Sequence, residues 1–133
     1  MAHLTIEYSR ALDHQVDMSA FCNAARTAMV SAGVFPLAGI RVRAFSADHQ
    51  SLGDGGEDLT FIDMILRMGQ GRDAAVRAQV LKTVYDTLAD WCDGELTTPF
   101  AMSLEILEIN AEFSEKRLNT IRPRLVARGA KNV

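Results

Sequence analysis

Features that mark specialised classes of protein are scarce in this sequence of 133 residues. It has only two cysteines, Cys22 and Cys92, each inside a helical pattern, and their wide separation predicts reduced thiols and neither a disulfide framework nor a zinc site. No apolar run approaches the roughly 18 residues of a membrane span. The N-terminal residues lack the basic and apolar regions of a signal peptide. We therefore expect a cytoplasmic protein with no membrane partner.

The sequence also lacks an excess of charge of either sign. Its 14 lysines and arginines stand against 17 aspartates and glutamates, a net charge of -3, whereas general nucleic-acid binders are usually basic. The three histidines, His3, His14 and His49, do not cluster at metal-ligand spacing. The glycine-rich stretch at 69–71 is too short for a dinucleotide or phosphate-binding loop. We expect no nucleic-acid partner, no metal and no cofactor.

Hydrophobic periodicity predicts a strand, a helix and a strand in the first part of the chain. From His3 to Ser9, apolar and polar residues alternate with the period of a strand. From about Asp17 to Gly33, apolar residues recur every three or four positions, as in an amphipathic helix, with Asp17 or Ser19 as its N-cap. The alternation from Ile40 to Ala47 predicts a second strand.

The same order then repeats. Leu59 to Met68 reads as an apolar strand, Asp73 to Cys92 as a helix with one apolar stripe, and Ala101 to Ile109 as a closing strand. Because a β-α-β crossover joins parallel strands, we expect parallel pairing within each half.

These patterns predict one α/β domain (α+β in some schemes) over residues 1–133, with β-α-β halves at 3–47 and 58–110. The four strands form one sheet and the two helices cover one of its faces. The other face then needs a partner, so we expect an oligomer. The polar, glycine-rich linker at 46–58 is predicted to be a loop or a short hairpin.

The last segment, residues 111–133, has a weaker pattern and is rich in basic residues. Pro123 is predicted to interrupt any helix there. We interpret this segment as a solvated or partner-packing tail in preference to a ligand site, and we expect its last five residues to be loose.

Two segments place an arginine where a loop meets a regular element: Gly33–Arg43 and Gly69–Arg72. A guanidinium group placed in this way suits carboxylate recognition, because its planar fork can bind two oxygens. Arg72 would also lie beside the unpaired backbone N–H groups of a helix start. The pattern indicates a small anionic ligand, although Arg72 could be merely solvated and Arg41 could form an inter-subunit ion pair. Arg43 is interpreted as structural.

The chain resembles the 5-carboxymethyl-2-hydroxymuconate isomerase family of the tautomerase superfamily. The resemblance extends from His3 to roughly Leu118, and it is carried by Phe35–Arg41, Asp58–Phe61, Gly69–Arg72 and Ser103–Ile106. The doubled β-α-β order is also the architecture of that superfamily, which is usually assembled as a trimer. The resemblance therefore implies a tautomerase-like tandem repeat and a homotrimer.

The resemblance further implies proton transfer without a metal or a cofactor. In that family an amino-terminal proline is the general base, and arginines bind the carboxylates of an unsaturated acid during the breakdown of aromatic compounds. Matching motif positions assign the arginine roles to Arg41 and Arg72. The implied ligand is a small unsaturated carboxylate, and the implied activity is that of a cofactor-independent isomerase.

The chain departs from the family pattern at position 2, which is alanine, and its first proline is Pro36. With Met1 attached, the Ala2 nitrogen is an amide and is not a base. With Met1 removed, Ala2 offers a primary amine of reference pKa about 7.7–8.0, which burial and nearby arginines would lower. Two hypotheses follow: an isomerase with Ala2 as general base, or a catalytically impaired or inactive trimer that acts as a binding or structural protein.

Overall fold

Four strands form one mixed sheet in the computed structural model, which describes all 133 residues. Strands β1 (Ala2–Ser9) and β2 (Ile40–Ala47) are parallel neighbours, as are β3 (Thr60–Gly69) and β4 (Phe100–Ile109). β1 and β3 pair antiparallel at the centre, which gives the order β2-β1-β3-β4. The predicted parallel pairing within each half is therefore confirmed.

Two long helices connect the strands within each half. Helix α1 (Met18–Ser31) begins where the Asp17 side chain accepts a hydrogen bond of 2.8 Å from the Ser19 backbone N–H. Helix α2 (Ala74–Glu95) begins in the same way, since the Asp73 side chain accepts one of 2.8 Å from the Val76 N–H. Both helices were predicted, and α2 continues three residues beyond the predicted end at Cys92.

The core lies between the two helices and one face of the sheet. Alternate strand residues such as Leu4, Ile6 and Leu66 are completely buried, and the Phe21 ring of α1 meets the Trp91 ring of α2 edge to face at 5.1 Å. Burying each large apolar side chain contributes roughly 1.5–3 kcal/mol. The predicted arrangement of two helices over one sheet face is confirmed.

The opposite face of the sheet, called here the open face, is not covered by either of the two long helices. Phe45 of β2 is 53% exposed there. On this face the strand register places His3 between Arg41 and Arg67. The end of the open face nearest the start of β1 is therefore cationic.

The segment between the halves is a loop and not a hairpin. Residues 48–59 form turns without paired strands, and Gly53 and Gly55 adopt positive φ angles of 51° and 89°. The Gly55 N–H donates to the Leu52 carbonyl at 2.7 Å, which closes one of these turns.

The C-terminal residues differ from the prediction in two ways. Helix α3 (Ile121–Ala127) contains Pro123, which we expected to interrupt any helix. Pro123 is the third residue of α3, where a backbone N–H has no intrahelical acceptor, so its missing N–H costs nothing. The last residues are not loose either, because the Asn132 carbonyl accepts a hydrogen bond of 2.8 Å from the Leu37 N–H. No helix of the chain has both the length and the apolarity needed to cross a membrane.

Candidate active site

The start of β1 brings the N-terminus between two glycines. Ala2 is in register with Ile40 on one side and Met68 on the other, so Met1 lies beside Gly39 and Gly69. The Gly69 N–H donates to the Met1 carbonyl at 3.1 Å, and a Cβ at Gly39 would lie 3.4 Å from the Met1 Cα. Main-chain atoms from both halves of the chain therefore lie directly beside the N-terminus.

Met1 lines two cavities that open on either side of it. The larger, of about 590 Å³, contains Arg41 together with His3 and a stretch of the C-terminal segment. The smaller, of about 320 Å³, contains Arg72 together with Gln70 and Ser114. Three residues line both cavities: Met1, Pro36 and Lys116. The amino group is therefore placed between two predicted carboxylate-binding arginines.

Arg72 is held firmly by backbone groups of the two halves. Its Nη1 donates to the Gly69 carbonyl at 2.9 Å and its Nη2 donates to the Val34 carbonyl at 3.0 Å. The guanidinium carbon lies 5.8 Å from the centre of the Phe35 ring, a cation–π distance. Because a guanidinium has five N–H groups, three remain for a ligand.

Arg41 has much weaker internal contacts. Its only hydrogen bond is from Nη1 to the Gly39 carbonyl, at 3.5 Å, which is the outer limit for such a bond. It forms no ion pair within the chain, and its strand partner is His3. Burial, followed by the charge of Arg41, lowers the pKa of His3, which favours its neutral form. Nearly all the donors of Arg41 are free to bind an anion.

The electrostatics of the site favour a neutral amine. Burial lowers the pKa of the Met1 amino group from 8.0, and the positive charges of Lys116, Arg72 and Arg41 lower it further, in that order. An amine with a lowered pKa keeps more of its neutral form near pH 7, which is the form that accepts a proton. The same cations that would bind a carboxylate thus favour general-base behaviour.

Ala2, the predicted base, is a completely buried strand residue, and with Met1 attached its nitrogen is a peptide nitrogen. The structure brings Arg41 and Arg72 to opposite sides of the N-terminus, while Arg43 lines neither cavity. The sequence reasoning missed His3 and the C-terminal wall around Lys116. The parallel register of β1 with β2 carried a signal for His3, but no periodic pattern pointed to Lys116.

The remaining chemically versatile side chains are not gathered at the site. No group of three or more His, Cys, Asp or Glu side chains is arranged to hold a metal ion. Both cysteines are free thiols, and burial raises the pKa of Cys92 to about 11, so it behaves as a small apolar core residue. The cationic lining of both cavities suits an anionic ligand.

The chain is similar in sequence and in fold to the proteins of one enzyme family. The family model for 5-carboxymethyl-2-hydroxymuconate isomerase matches residues 2–125. The 5-carboxymethyl-2-hydroxymuconate Delta-isomerase of Escherichia coli is 27% identical over 120 residues, which cover 90% of this chain and 95% of that protein. A crystal structure of a 5-carboxymethyl-2-hydroxymuconate delta-isomerase is 29% identical, has a TM-score of 0.81, and the match covers 94% of this chain and 93% of that one.

A more distant structure, a fused 4-OT wild type symmetric trimer, shares the fold with 18% identity and a TM-score of 0.62, over 84% of this chain and 91% of that chain. The predicted tautomerase-superfamily fold is confirmed, and the matches support an isomerase function. With most of its length matched by the family model, the chain belongs to the 5-carboxymethyl-2-hydroxymuconate isomerase family.

Proposed function

We propose that the chain is an isomerase that moves a proton within an unsaturated polycarboxylate of the 5-carboxymethyl-2-hydroxymuconate type. The observation that carries the proposal is the place of the chain's amino end: the Met1 amine, whose pKa burial and nearby cations lower, lies between two cavities, one with Arg41 and the other with Arg72. The proposed setting is the breakdown of aromatic compounds in the cytoplasm, as the family relationship suggests.

In the proposed reaction, the neutral amine takes a proton from one carbon of the substrate. The electron pair left behind spreads along the conjugated double bonds toward an oxygen that an arginine binds. The protonated amine then returns the proton to a different carbon, and the double bonds shift. The composition of the substrate does not change, so the step needs no oxidant, reductant or cofactor.

We propose that Arg72 and Arg41 have different parts in this step. Arg72 is fixed by two backbone carbonyls and by Phe35, which suits a group that must hold one carboxylate in a set orientation. Arg41, with most of its donors free, suits a group that adjusts to a second carboxylate. Both positive charges also stabilise the negative charge that develops along the substrate.

The proposed base is the Ala2 amine, released when Met1 is removed. A chain that begins at Ala2 would start at the same end of β1, level with Ile40 and Met68 of the neighbouring strands. A primary amine in this place lacks the ring that holds the amine of the family's proline, so we expect a slower reaction than a proline enzyme would give.

The test is to measure the intact mass of the purified protein and then to assay 5-carboxymethyl-2-hydroxymuconate isomerisation. The proposal expects loss of one methionine and measurable turnover. The Ala2→Pro variant should then raise kcat by about an order of magnitude with little change in KM, because the carboxylate contacts are unaltered. An inactive, correctly processed Ala2→Pro variant would contradict the proposal.

One observation supports a second function, that of a binding or structural protein. While Met1 is attached, Ala2 has no free amine and is wholly buried. A chain that retains Met1 and shows no turnover would be a binding or structural protein with this fold. Intact mass and turnover together separate the two functions.

We also propose that the protein is a homotrimer. The uncovered open face, with Phe45 more than half exposed, supports an assembly, and the fused 4-OT protein of the same fold is described as a symmetric trimer. Sedimentation should show one species of three chains. A stable monomer at micromolar concentration would contradict this assembly.

A further inference from the structure

The C-terminal segment forms one wall of the site. After β4, the Ala111 N–H donates to the Gln70 side-chain oxygen at 3.3 Å, which fixes the start of the segment near the smaller cavity. Its far end returns to the larger cavity, where the Asn132 carbonyl accepts from the Leu37 N–H. Residues 114–119 lie between these two anchors and line the cavities beside Met1.

Three consecutive charged residues of this wall differ in whether their charge is already neutralised. The Glu115 carboxylate accepts hydrogen bonds from the backbone N–H groups of Lys116 and Arg117, at 2.9 and 3.1 Å. It also pairs with the Arg117 Nε at 2.9 Å. The Lys116 ammonium forms no ion pair or hydrogen bond in the chain, although the residue lines both cavities. Of the residues that line both cavities, Lys116 is the one with a charged side chain, and that charge is unpaired, so it is placed for a ligand that extends from one cavity to the other.

The electrostatics agree with the position of Lys116 beside the amine. Among the charged side chains that lower the pKa of the Met1 amino group, it contributes more than either Arg72 or Arg41. The three cations thus lie around one amine: Arg72 lines the smaller cavity, Arg41 lines the larger one, and Lys116 lines both.

We propose that Lys116 binds a third carboxylate of the substrate and thereby selects tricarboxylates over dicarboxylates. The inference rests on the proposed isomerase function. A muconate has two carboxylates, and its carboxymethyl substituent adds a third, so three cations around the amine match three anionic groups. Arg72 serves the smaller cavity and Arg41 the larger, which leaves Lys116 for the group between them.

The kinetic test compares Lys116→Met with Lys131→Met, which removes the same charge from the same segment outside both cavities. The probes are 5-carboxymethyl-2-hydroxymuconate and 2-hydroxymuconate, which lacks the carboxymethyl group. Lys116→Met should raise KM for the tricarboxylate by about 10- to 100-fold, the effect of one charge-assisted contact, and change KM for the dicarboxylate far less. Lys116→Arg should restore most of the preference. Equal effects of the two methionine variants on both substrates would overturn the inference.

A binding test keeps the inference separate from the isomerase proposal. Calorimetry with propane-1,2,3-tricarboxylate and with glutarate measures the same preference without turnover. Because the removed charge opposes protonation of the amine, Lys116→Met should also raise the pKa of the N-terminal amino group, measured by NMR. If the wild-type protein does not isomerise the substrate but its tricarboxylate preference is lost in Lys116→Met only, the isomerase proposal fails and the inference stands. If turnover is normal while the preference and the amine pKa are unchanged, the inference alone fails.

Discussion

Arg41 and Arg72 occupy comparable places, each where a loop meets a regular element at the N-terminus of β1, yet their surroundings differ sharply. Arg72 donates to the Val34 and Gly69 carbonyls at 3.0 and 2.9 Å, whereas the single bond of Arg41 is 3.5 Å long. Val34 follows α1 in the first half and Gly69 ends β3 in the second. Arg72 therefore links the two halves of the repeat by hydrogen bonds, whereas Arg41 forms no hydrogen bond between the halves.

The difference separates two ways in which an arginine can serve a ligand. A guanidinium held by carbonyls and by an aromatic ring has already lost much of its side-chain freedom. Binding of a ligand to it therefore costs little additional side-chain entropy. A guanidinium with free donors binds more adaptably but must be ordered by the ligand. Substitution of Arg72 should therefore alter both stability and function, while substitution of Arg41 should alter function alone.

The largest effect is expected for Arg72→Ala. We expect kcat/KM or carboxylate affinity to fall by about 2–4 kcal/mol, through loss of a charge-assisted contact. Because Val34 and Gly69 are partly buried and each loses a donor, we also expect the free energy of unfolding to fall by about 1–3 kcal/mol. Steady-state kinetics and urea unfolding measure the two effects.

The matched control for this variant is Arg43→Ala, since Arg43 is exposed and lines neither cavity. Arg43→Ala should change neither kcat/KM nor the free energy of unfolding appreciably. An Arg72→Ala protein with normal kinetics and normal unfolding would show that Arg72 is only a solvated surface residue.

Arg41→Ala is expected to have the next largest effect, on function only. Loss of its carboxylate contact should weaken binding by about 1.5–3 kcal/mol. The free energy of unfolding should stay within about 0.5 kcal/mol of that of the parent protein, because no short internal bond is lost. Kinetics and urea unfolding on the same preparations test both statements. A clear loss of stability would mean that Arg41 has a structural partner, for example across a subunit interface.

The sequence predicted the regular parts of this fold well, because each part has a local cause. Alternation gave the strands, three- and four-residue spacing gave the helices, and Asp17 and Asp73 mark the helix starts. The crossover rule then fixed the parallel pairs. The two arginines were recognisable because each lies at a junction within two residues of a glycine.

The C-terminal wall of the site was not predictable in the same way. Its contacts to Gln70 and Leu37 are tertiary, and Lys116 has no periodic pattern that distinguishes it from Lys131. Pro123 misled the prediction because the general rule against proline in helices does not apply to the first turn. The two backbone bonds of Arg72 also depend on a tertiary approach, so its structural role was invisible in the sequence.

A third prediction compares glycines near the two arginines. Gly71, one residue before Arg72, has a φ of 100°, whereas Gly39, two residues before Arg41, has no positive φ. Gly71→Ala should lower the free energy of unfolding by about 1–2 kcal/mol, because L-residues avoid this conformation. Gly39→Ala should be neutral or slightly stabilising, since its Cβ meets Met1 at an ordinary contact distance of 3.4 Å. Urea unfolding of both variants tests the contrast, and equal losses would contradict it.

The smallest expected effect is on protonation of the N-terminal amine. In the chain that retains Met1, burial and nearby cations hold the amine pKa below 8.0, and Arg72 contributes more than Arg41. Arg72→Ala should therefore raise the amine pKa more than Arg41→Ala does, and Arg43→Ala should leave it unchanged. An NMR titration of a carbon-13-labelled Met1 measures all three variants. Since the unfolded chain holds more protons between the lowered pKa and 8.0, this group's contribution to stability rises with pH in that interval, and the rise should shrink most in Arg72→Ala. Identical titration midpoints for the two arginine variants would mean that the amine is equally distant from both charges, and the asymmetry between the two regions would then be confined to their hydrogen bonds.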